Sequence, residues 1–215
     1  NTKRQDFTGA IAMASKTDLT DWTAKWLQTA GPNRVMAVPE CDGDKLKSVT
    51  ITQKKSTSGN LSPHRTRLGF YELDDEELEL EWTKDVFYKD EVTTLTDFKG
   101  KDCPAFLLPN ENDLDYALFA LDDKSLGKAK IAITKLPDPL SRLMVWSILY
   151  QMTRDSELSP AIYMSIAMEA LKEEKDDLLL GSLLGRFGNL KFVYTNYLDK
   201  DERAKIAPEL EALIW

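Results

Sequence analysis

The feature that most limits the fold is a change of hydrophobic period near Leu121. Upstream of it, apolar residues sit between polar ones at strand spacing; downstream they recur every three or four residues. A period of two places side chains on alternate faces of a strand, whereas a period near 3.6 lines them along one stripe of a helix. In the first part, "LKSVTITQ" carries Leu46, Val49 and Ile51 among polar neighbours. "RTRLGFYEL" alternates through Leu68, Phe70 and Leu73, and "LELEW" through Leu78, Leu80 and Trp82. The intervening "CDGDK", "STSGNLSP", "LDDEE" and "FKGKDCP" are rich in Gly, Asp, Asn, Ser and Pro, the residues that turn a chain back. This spacing predicts a small β-sandwich between Val35 and about Leu121.

After "LDDKSLGKA" the pattern becomes helical. "PLSRLMVWSILYQMTRD" places Leu140, Leu143, Val145, Trp146, Leu149 and Met152 on one broad stripe, with Asp138 or Ser141 available as a cap. "SPAIYMSIAMEALKEEKD" repeats the pattern, with Ser159 at the N-cap, Pro160 at the first helical position, and Ile162, Tyr163, Ile166, Ala167, Ala170 and Leu171 facing inward. "DDLLLGSLLGRFGNLKFVYTNYL" is a third candidate, weakened by its glycines, and "DKDERAKIAPELEALIW" a fourth, expected to break at Pro208. Successive helices joined by short polar breaks predict an antiparallel helix-pair, solenoid-like array rather than a closed bundle. The fold class expected is therefore all-β followed by all-α. The chain does not start with Met and stops at "EALIW" in the middle of an apolar stripe, so a longer parent in which the array continues is expected.

Composition removes several functions. A net charge of -8 opposes a general nucleic-acid partner, because neutralising phosphates needs clustered Lys and Arg. Lys45, Lys47, Lys54, Lys55, Arg65 and Arg67 are interrupted by apolar residues at strand spacing, which marks the solvated face of a sheet. No apolar run approaches the roughly 20 residues that span a bilayer, and no signal-peptide pattern is present. Neither nucleic acid nor membrane is expected as a partner. Cys41 and Cys103 are too few for a disulfide framework and read as free thiols in a reducing, cytoplasmic setting.

Candidate chemical groups are sparse. His64, the single histidine, cannot make a His-rich zinc site, and reads as a structural polar contact at a strand start. Glu111, Asp113 and Asp115 in "PNENDLDYALFALDD" lack the glycine and the terminal Glu of an EF-hand loop, and read as a solvated turn leading into a strand. There is no G-x-S-x-G elbow, and neither cysteine lies in a motif that would activate it. "GSLLGRFG", Gly181 to Gly188, has no Lys-Ser/Thr after it and is no phosphate loop; its glycines suit a helix break or close helix contact. No catalytic, cofactor-binding or metal residue is assigned in this chain.

Four stretches in order nevertheless carry a specific resemblance. "SKTDLTDWTAKWLQTAGPN" is similar, through Trp22, Trp26, Leu27, Thr29, Gly31 and Asn33, to the W-L-x-T-x-G-x-N junction that ends the catalytic domain of zinc aminopeptidases of the aminopeptidase N type, gluzincins. "ITQKKS…LSPHRTRLGFYEL" resembles that family's I-x-Q…L-R-P-H-R-x-x-I-G-L-Y strand pair. "PAFLLPNENDLDYALFALDDKSL" resembles L-x-L-P-N-D-D-D-L-x-Y-A-K-x-R-L-D-x-x-S, and "LPDPLSRLMVWSILYQMTRDSELS" resembles D-x-L-x-R-A-x-x-W-x-x-L-x-x-M-x-R-D-x-E. Ser62 stands where the family has Arg before "PHR", and Phe119 and Ala120 where it has a charged pair. The nearest flavour is the actinobacterial branch.

The resemblance implies three segments: residues 1–31 as the end of a catalytic domain, 32–122 as the β-sandwich, and 123–215 as the start of a C-terminal helical domain. The family's H-E-x-x-H and G-x-M-E-N motifs are missing here, so zinc and the chemistry belong to the parent and no catalytic residue carries over. The implied function is a non-catalytic C-terminal fragment of a peptidase that removes N-terminal residues from peptides. It would link its own catalytic domain to the helical domain limiting access to the active site, the partners being that domain and the parent's peptide substrates. The rival reading is a free-standing protein-interaction module.

Overall fold

A computed structural model describes residues 3–75, 77–181 and 193–214. Two sheets and a set of helices make a mixed α and β architecture. Strands β1 (Arg34–Asp42) and β2 (Lys45–Lys54) form an antiparallel hairpin around the Gly43-Asp44 turn. Strand β5 (Val92–Leu95) pairs antiparallel with β2, and β7 (Leu118–Ala120) runs parallel to β1, completing one four-stranded sheet. The second sheet is centred on β3 (His64–Asp74), flanked antiparallel by β4 (Glu77–Tyr88) and β6 (Phe106–Pro109).

The middle of β3 is buried continuously from Leu68 to Tyr71, which a half-buried strand is not. Phe70 stacks on Trp82, ring centroids 3.7 Å apart, while Tyr71 on the opposite face meets Phe106 at 5.8 Å. A bulge explains the change of face. Phe70 lies opposite Trp82 but Tyr71 opposite Leu80, so Glu81 is the extra residue. Leu78 and Leu80 therefore share the face of Tyr71, and Trp82 that of Phe70. The single face expected for Leu78, Leu80 and Trp82 is not formed, and Leu80 is 43% exposed.

The helical part begins with two short helices, α3 (Asp123–Gly127) and α4 (Ala129–Lys135). Two longer ones, α5 (Pro139–Arg154) and α6 (Pro160–Glu173), follow as the periodicity predicts. Asp138 supplies the cap of α5: its carboxylate accepts from the Ser141 N–H at 2.9 Å. Trp146 and Tyr163, both fully buried, meet across α5 and α6 with ring centroids 5.3 Å apart. Leu140 and Ile162, expected inside, are exposed, and Met144 and Ile148 are buried in α5. The last helix, α7 (Lys200–Ile214), runs through Pro208, so the expected break does not occur. Residues 177–181 and 193–196 are also helical; apart from Gly181, the "GSLLGRFG" stretch lies outside the described residues. No described helix is long and apolar enough to cross a membrane.

One cluster of buried apolar side chains takes residues from both sheets and from the helices, among them Val35, Ile51, Leu68, Phe106, Leu149 and Tyr163. Two helices precede the sheets. Helix α1 (Arg4–Ser15) buries no residue, and in α2 (Thr20–Leu27) Trp26 is half-buried while Trp22 stays exposed.

The cysteines correct the sequence reading. Cys41 and Cys103 are not free thiols but a disulfide, their Cα atoms 5.9 Å apart. Sixty-two positions separate them in sequence, so no local pattern announces the pair. The connection before β6 runs beside the end of the β1–β2 hairpin, where Leu46 N–H donates to Lys101 O and Cys103 N–H to Asp44 O, both at 2.8 Å. The basic cluster, by contrast, lies outward as expected and is largely paired. Lys45 meets Asp102, Lys55 meets Glu91, and Arg65 and Arg67 share Asp85.

Candidate functional site

The four stretches that carry the resemblance converge at one buried polar junction. Its first member comes from the turn after α2. Gly31 adopts φ +84°, and a Cβ there would lie 2.4 Å from Thr57 Oγ1, so only glycine fits both the angle and the space. The neighbouring Ala30 carbonyl accepts from Thr57 Oγ1 at 3.1 Å and Ser58 Oγ at 2.7 Å. The turn delivers Asn33 into the interior. Its Nδ2 donates to the carbonyls of Lys54 at 3.1 Å and Asn60 at 2.7 Å, which leaves Oδ1 as acceptor for Ser62 N–H at 3.1 Å. Ser62 thus contributes its backbone here, and its carbonyl accepts from Gln53 Nε2 at 2.8 Å.

His64, 1% exposed, opens β3 beside Asn33. Because Asn33 Oδ1 is an acceptor, the His64 Nε2–H donates to it, at 3.2 Å. On its other side Nδ1 faces the Asp115 carboxylate at 2.9 and 3.0 Å. The ring stacks on Tyr88 at 5.2 Å and takes the edge of Trp26 at 5.1 Å. Tyr88 donates its hydroxyl to Asp115 at 3.3 Å, and burial, followed by the nearby Asp115 charge, pushes its ionisation well above the ordinary tyrosine range. The structural role expected of His64 is the one observed. An imidazole oriented by a carboxylate is half of a catalytic triad, but here the other nitrogen faces an amide oxygen instead of a nucleophile, and no solvent reaches the ring.

Asp115 is held by a loop of unusual backbone. Asn110, Asn112 and Asp113 all have positive φ, a conformation that Asn and Asp tolerate best among residues with a Cβ. Asn110 Oδ1 accepts from Asp115 N–H at 2.8 Å and Thr66 Oγ1 at 3.0 Å. Glu111, in the same loop, points inward and is 3% exposed. Its carboxylate accepts from the Tyr71 hydroxyl at 2.7 Å and the Ser141 hydroxyl at 3.0 Å, tying β3 to the first turn of α5. Gly69 makes the room, since a Cβ there would stand 2.5 Å from Glu111 Oε2. Burial and then Glu111 push the Tyr71 ionisation above its ordinary value, keeping that hydroxyl a donor. The reading of this stretch as a solvated turn holds for Asp113 and fails for Glu111, which is buried, and for the Asp115 side chain, which is 7% exposed, because the two carboxylates satisfy donors from β3, β4 and α5.

Arg34 at the start of β1 reaches Asp155 and Glu157 just after α5, adding an ionic tie between sheet and helix. A groove of about 560 Å3 lies beside the junction, lined among others by Asp115, Tyr116, Leu140, Met144, Tyr150 and Arg154. Phe119 and Ala120, which depart from the family pattern, are buried in β7 against β1, a place that admits no charge. Among the described residues no group of three or more His, Cys, Asp or Glu is placed to hold a metal ion. What the junction does chemically is lock the α2 turn, both sheets and α5 in one arrangement. The Asn33–His64–Asp115 and Glu111–Ser141 contacts escaped sequence reasoning because their members lie 30 to 51 positions apart.

Comparison with known proteins agrees with this geometry. Residues 106–214 match the family model of the ERAP1-like C-terminal domain, which therefore starts at β6 and covers the loop of Glu111 and the helices. Aminopeptidase N of Streptomyces lividans is 31% identical over 191 residues, covering 82% of this chain and 22% of that protein. The chain thus spans about a fifth of the relative's length. With half its residues in that family model and the junction assembled from all four matching stretches, the chain belongs to the ERAP1-like C-terminal domain family and is a C-terminal region of the aminopeptidase N type.

Proposed function

We propose that this chain is the non-catalytic C-terminal part of a zinc-dependent metallo-aminopeptidase that removes N-terminal residues from peptides. Its two sheets act as a β-sandwich spacer, and its helices begin a helix-pair array that limits access to the active site. The division into residues 1–31, 32–122 and 123–215 is part of this reading. The carrying observation is the buried junction, in which one loop supplies both Asp115, bonded through His64 of β3 to Asn33 from the α2 turn, and Glu111, bonded to Ser141 of α5. Such ties transmit the position of whatever precedes α2 to the helices, as a spacer between a catalytic domain and a gate must.

The parent's catalytic domain and its peptide substrates are the proposed partners, and zinc is the parent's metal. A cytoplasmic location is also part of the proposal and rests on the bacterial relative alone, because the Cys41–Cys103 disulfide is of a kind typical of oxidising compartments and lends it no support. The reading is tested on the full reading frame. An upstream H-E-x-x-H, and cleavage of an aminoacyl anilide by the whole protein but not by residues 1–215 alone, are the expected results. A frame without that motif, or chelator-sensitive turnover by the isolated chain, would overturn it.

A further inference from the structure

The Cys41–Cys103 bridge has two unlike ends. Cys41 sits where the register shifts near the exposed end of β1, and it is open to solvent. Cys103 is half-buried in the connection to β6. Lys124, in the first turn of α3, donates from Nζ to the Pro104 carbonyl at 2.6 Å and to Cys103 Sγ at 3.2 Å. The carbonyl holds the ammonium beside this sulfur. Among the described residues no cation is hydrogen-bonded to Cys41 Sγ.

When a thiolate attacks a disulfide, the sulfur that departs carries the electron pair, and the exchange is faster when that charge is stabilised. Solvent access and charge therefore agree on direction. We propose that this bridge is a thiol–disulfide exchange site for a dithiol reductant, with Cys41 as the sulfur attacked and Cys103 as the leaving group. The reductant's thiolate forms a bond to Cys41 Sγ, the Cys41–Cys103 bond breaks, and the pair leaves on Cys103 Sγ beside Lys124. The second thiol of the reductant loses its proton and attacks its own sulfur in the mixed disulfide, releasing Cys41. The reductant ends as a disulfide and the protein as two thiols, with the two protons passed from one to the other.

Reduction unfastens the segment before β6 from the end of β1 without dismantling the fold, because the Leu46–Lys101 and Cys103–Asp44 backbone bonds and the Lys45–Asp102 ion pair remain. The consequence is a local loosening at a point where the two sheets are joined. The inference rests on this chain alone and is independent of what precedes it.

The test uses the unreduced chain. Thiols are first counted in denaturant, and none is expected. A brief exposure to glutathione, which has no second thiol, is then quenched with acid, the released thiol is alkylated, and the mixed disulfide is mapped by peptide mass. Glutathione on Cys41 with the alkyl group on Cys103 is the expected pattern. The reverse pattern, or two free thiols at the outset, overturns the proposal. Lys124→Met should slow the first step about two- to fivefold, the scale of one exposed charge interaction, and Lys124→Arg should restore it. Equal rates for all three would overturn the leaving-group assignment. If Lys124→Met fails to fold, the position of glutathione on the unsubstituted chain still decides.

Discussion

Helices α2 and α5 start from similar sequence signals and end in opposite environments. Both place a tryptophan on an apolar stripe after an acidic first turn or cap. In α5 that stripe buries six apolar residues, Trp146 completely. In α2 nothing is fully buried: Trp22 is 37% exposed, and only Trp26 turns in, against His64. An apolar stripe states that a helix has something to cover, not what covers it. For α5 the cover is supplied within the chain by α6, α4 and β7; for α2 the ring that Trp26 meets is His64.

The largest expected effect separates the two helices outright. Trp146→Ala should lower unfolding free energy by about 3–5 kcal/mol in denaturant titrations, as large core truncations do. Trp146→Phe should cost under about 1.5 kcal/mol, because the indole N–H it removes has no hydrogen-bond partner among the described residues. A mild Trp146→Ala would mean that α5 is not the packed member of the pair.

Next comes the tie between sheet and helix. Glu111→Ala should cost about 2–4 kcal/mol, since it removes the carboxylate that accepts from the buried Tyr71 hydroxyl, leaves the Ser141 hydroxyl to Asp138 alone and opens a cavity against Gly69. Hydrogen exchange should then quicken at the start of α5 more than in α2. Uniform exchange would show that Glu111 does not couple the two regions.

Arg142 gives a smaller effect with a pH signature. It grips Glu174 through Nε and Nη2, both at 2.8 Å. Burial raises the Glu174 ionisation, but the bonds from Arg142 and from the Asp176 and Lys175 N–H groups outweigh it, and the carboxyl titrates below its ordinary range. A lowered folded value stabilises above the ordinary carboxylate range, about pH 4.3, and that contribution fades as pH falls through the lowered value. Arg142→Met should therefore cost about 1–3 kcal/mol at neutral pH, with the gap to the unsubstituted chain narrowing below about pH 4. A gap independent of pH would remove Glu174 from the account.

The smallest effects resolve α2 itself. Trp26→Ala should cost about 1–2 kcal/mol by stripping the edge contact from His64, whereas Trp22→Ser should change stability by less than about 0.5 kcal/mol. Light scattering on the second variant reports whether the exposed indole promotes self-association. Equal costs for the two would mean that α2 packs through both rings or through neither.

Much of the framework was legible in order along the chain. The strands around Leu46–Ile51 and Leu68–Phe70, the helices from Pro139 and Pro160, the cap at Asp138 and the structural place of His64 follow from patterns within a few residues. These are local because backbone hydrogen bonding and side-chain periodicity repeat within one turn or one pleat. The mistakes share a different cause. Glu81 reverses the face of β4 because a bulge is a property of the strand pair. Pro208 is carried inside α7, against a propensity that neighbours can override.

The sequence by itself determined the order of sheet and helix, the four stretches that mark the family, and the lack of a metal-binding or nucleophile motif in these residues. Only the tertiary structure decided that Cys41 and Cys103 join, that β7 runs parallel to β1, and that Glu111 and Asp115 leave solvent to satisfy Tyr71, Ser141, Tyr88 and His64. The physical reason is one of range. Periodicity records what each residue prefers beside its chain neighbours, whereas a buried carboxylate or a disulfide exists only once partners dozens of residues away have been brought within a few ångströms.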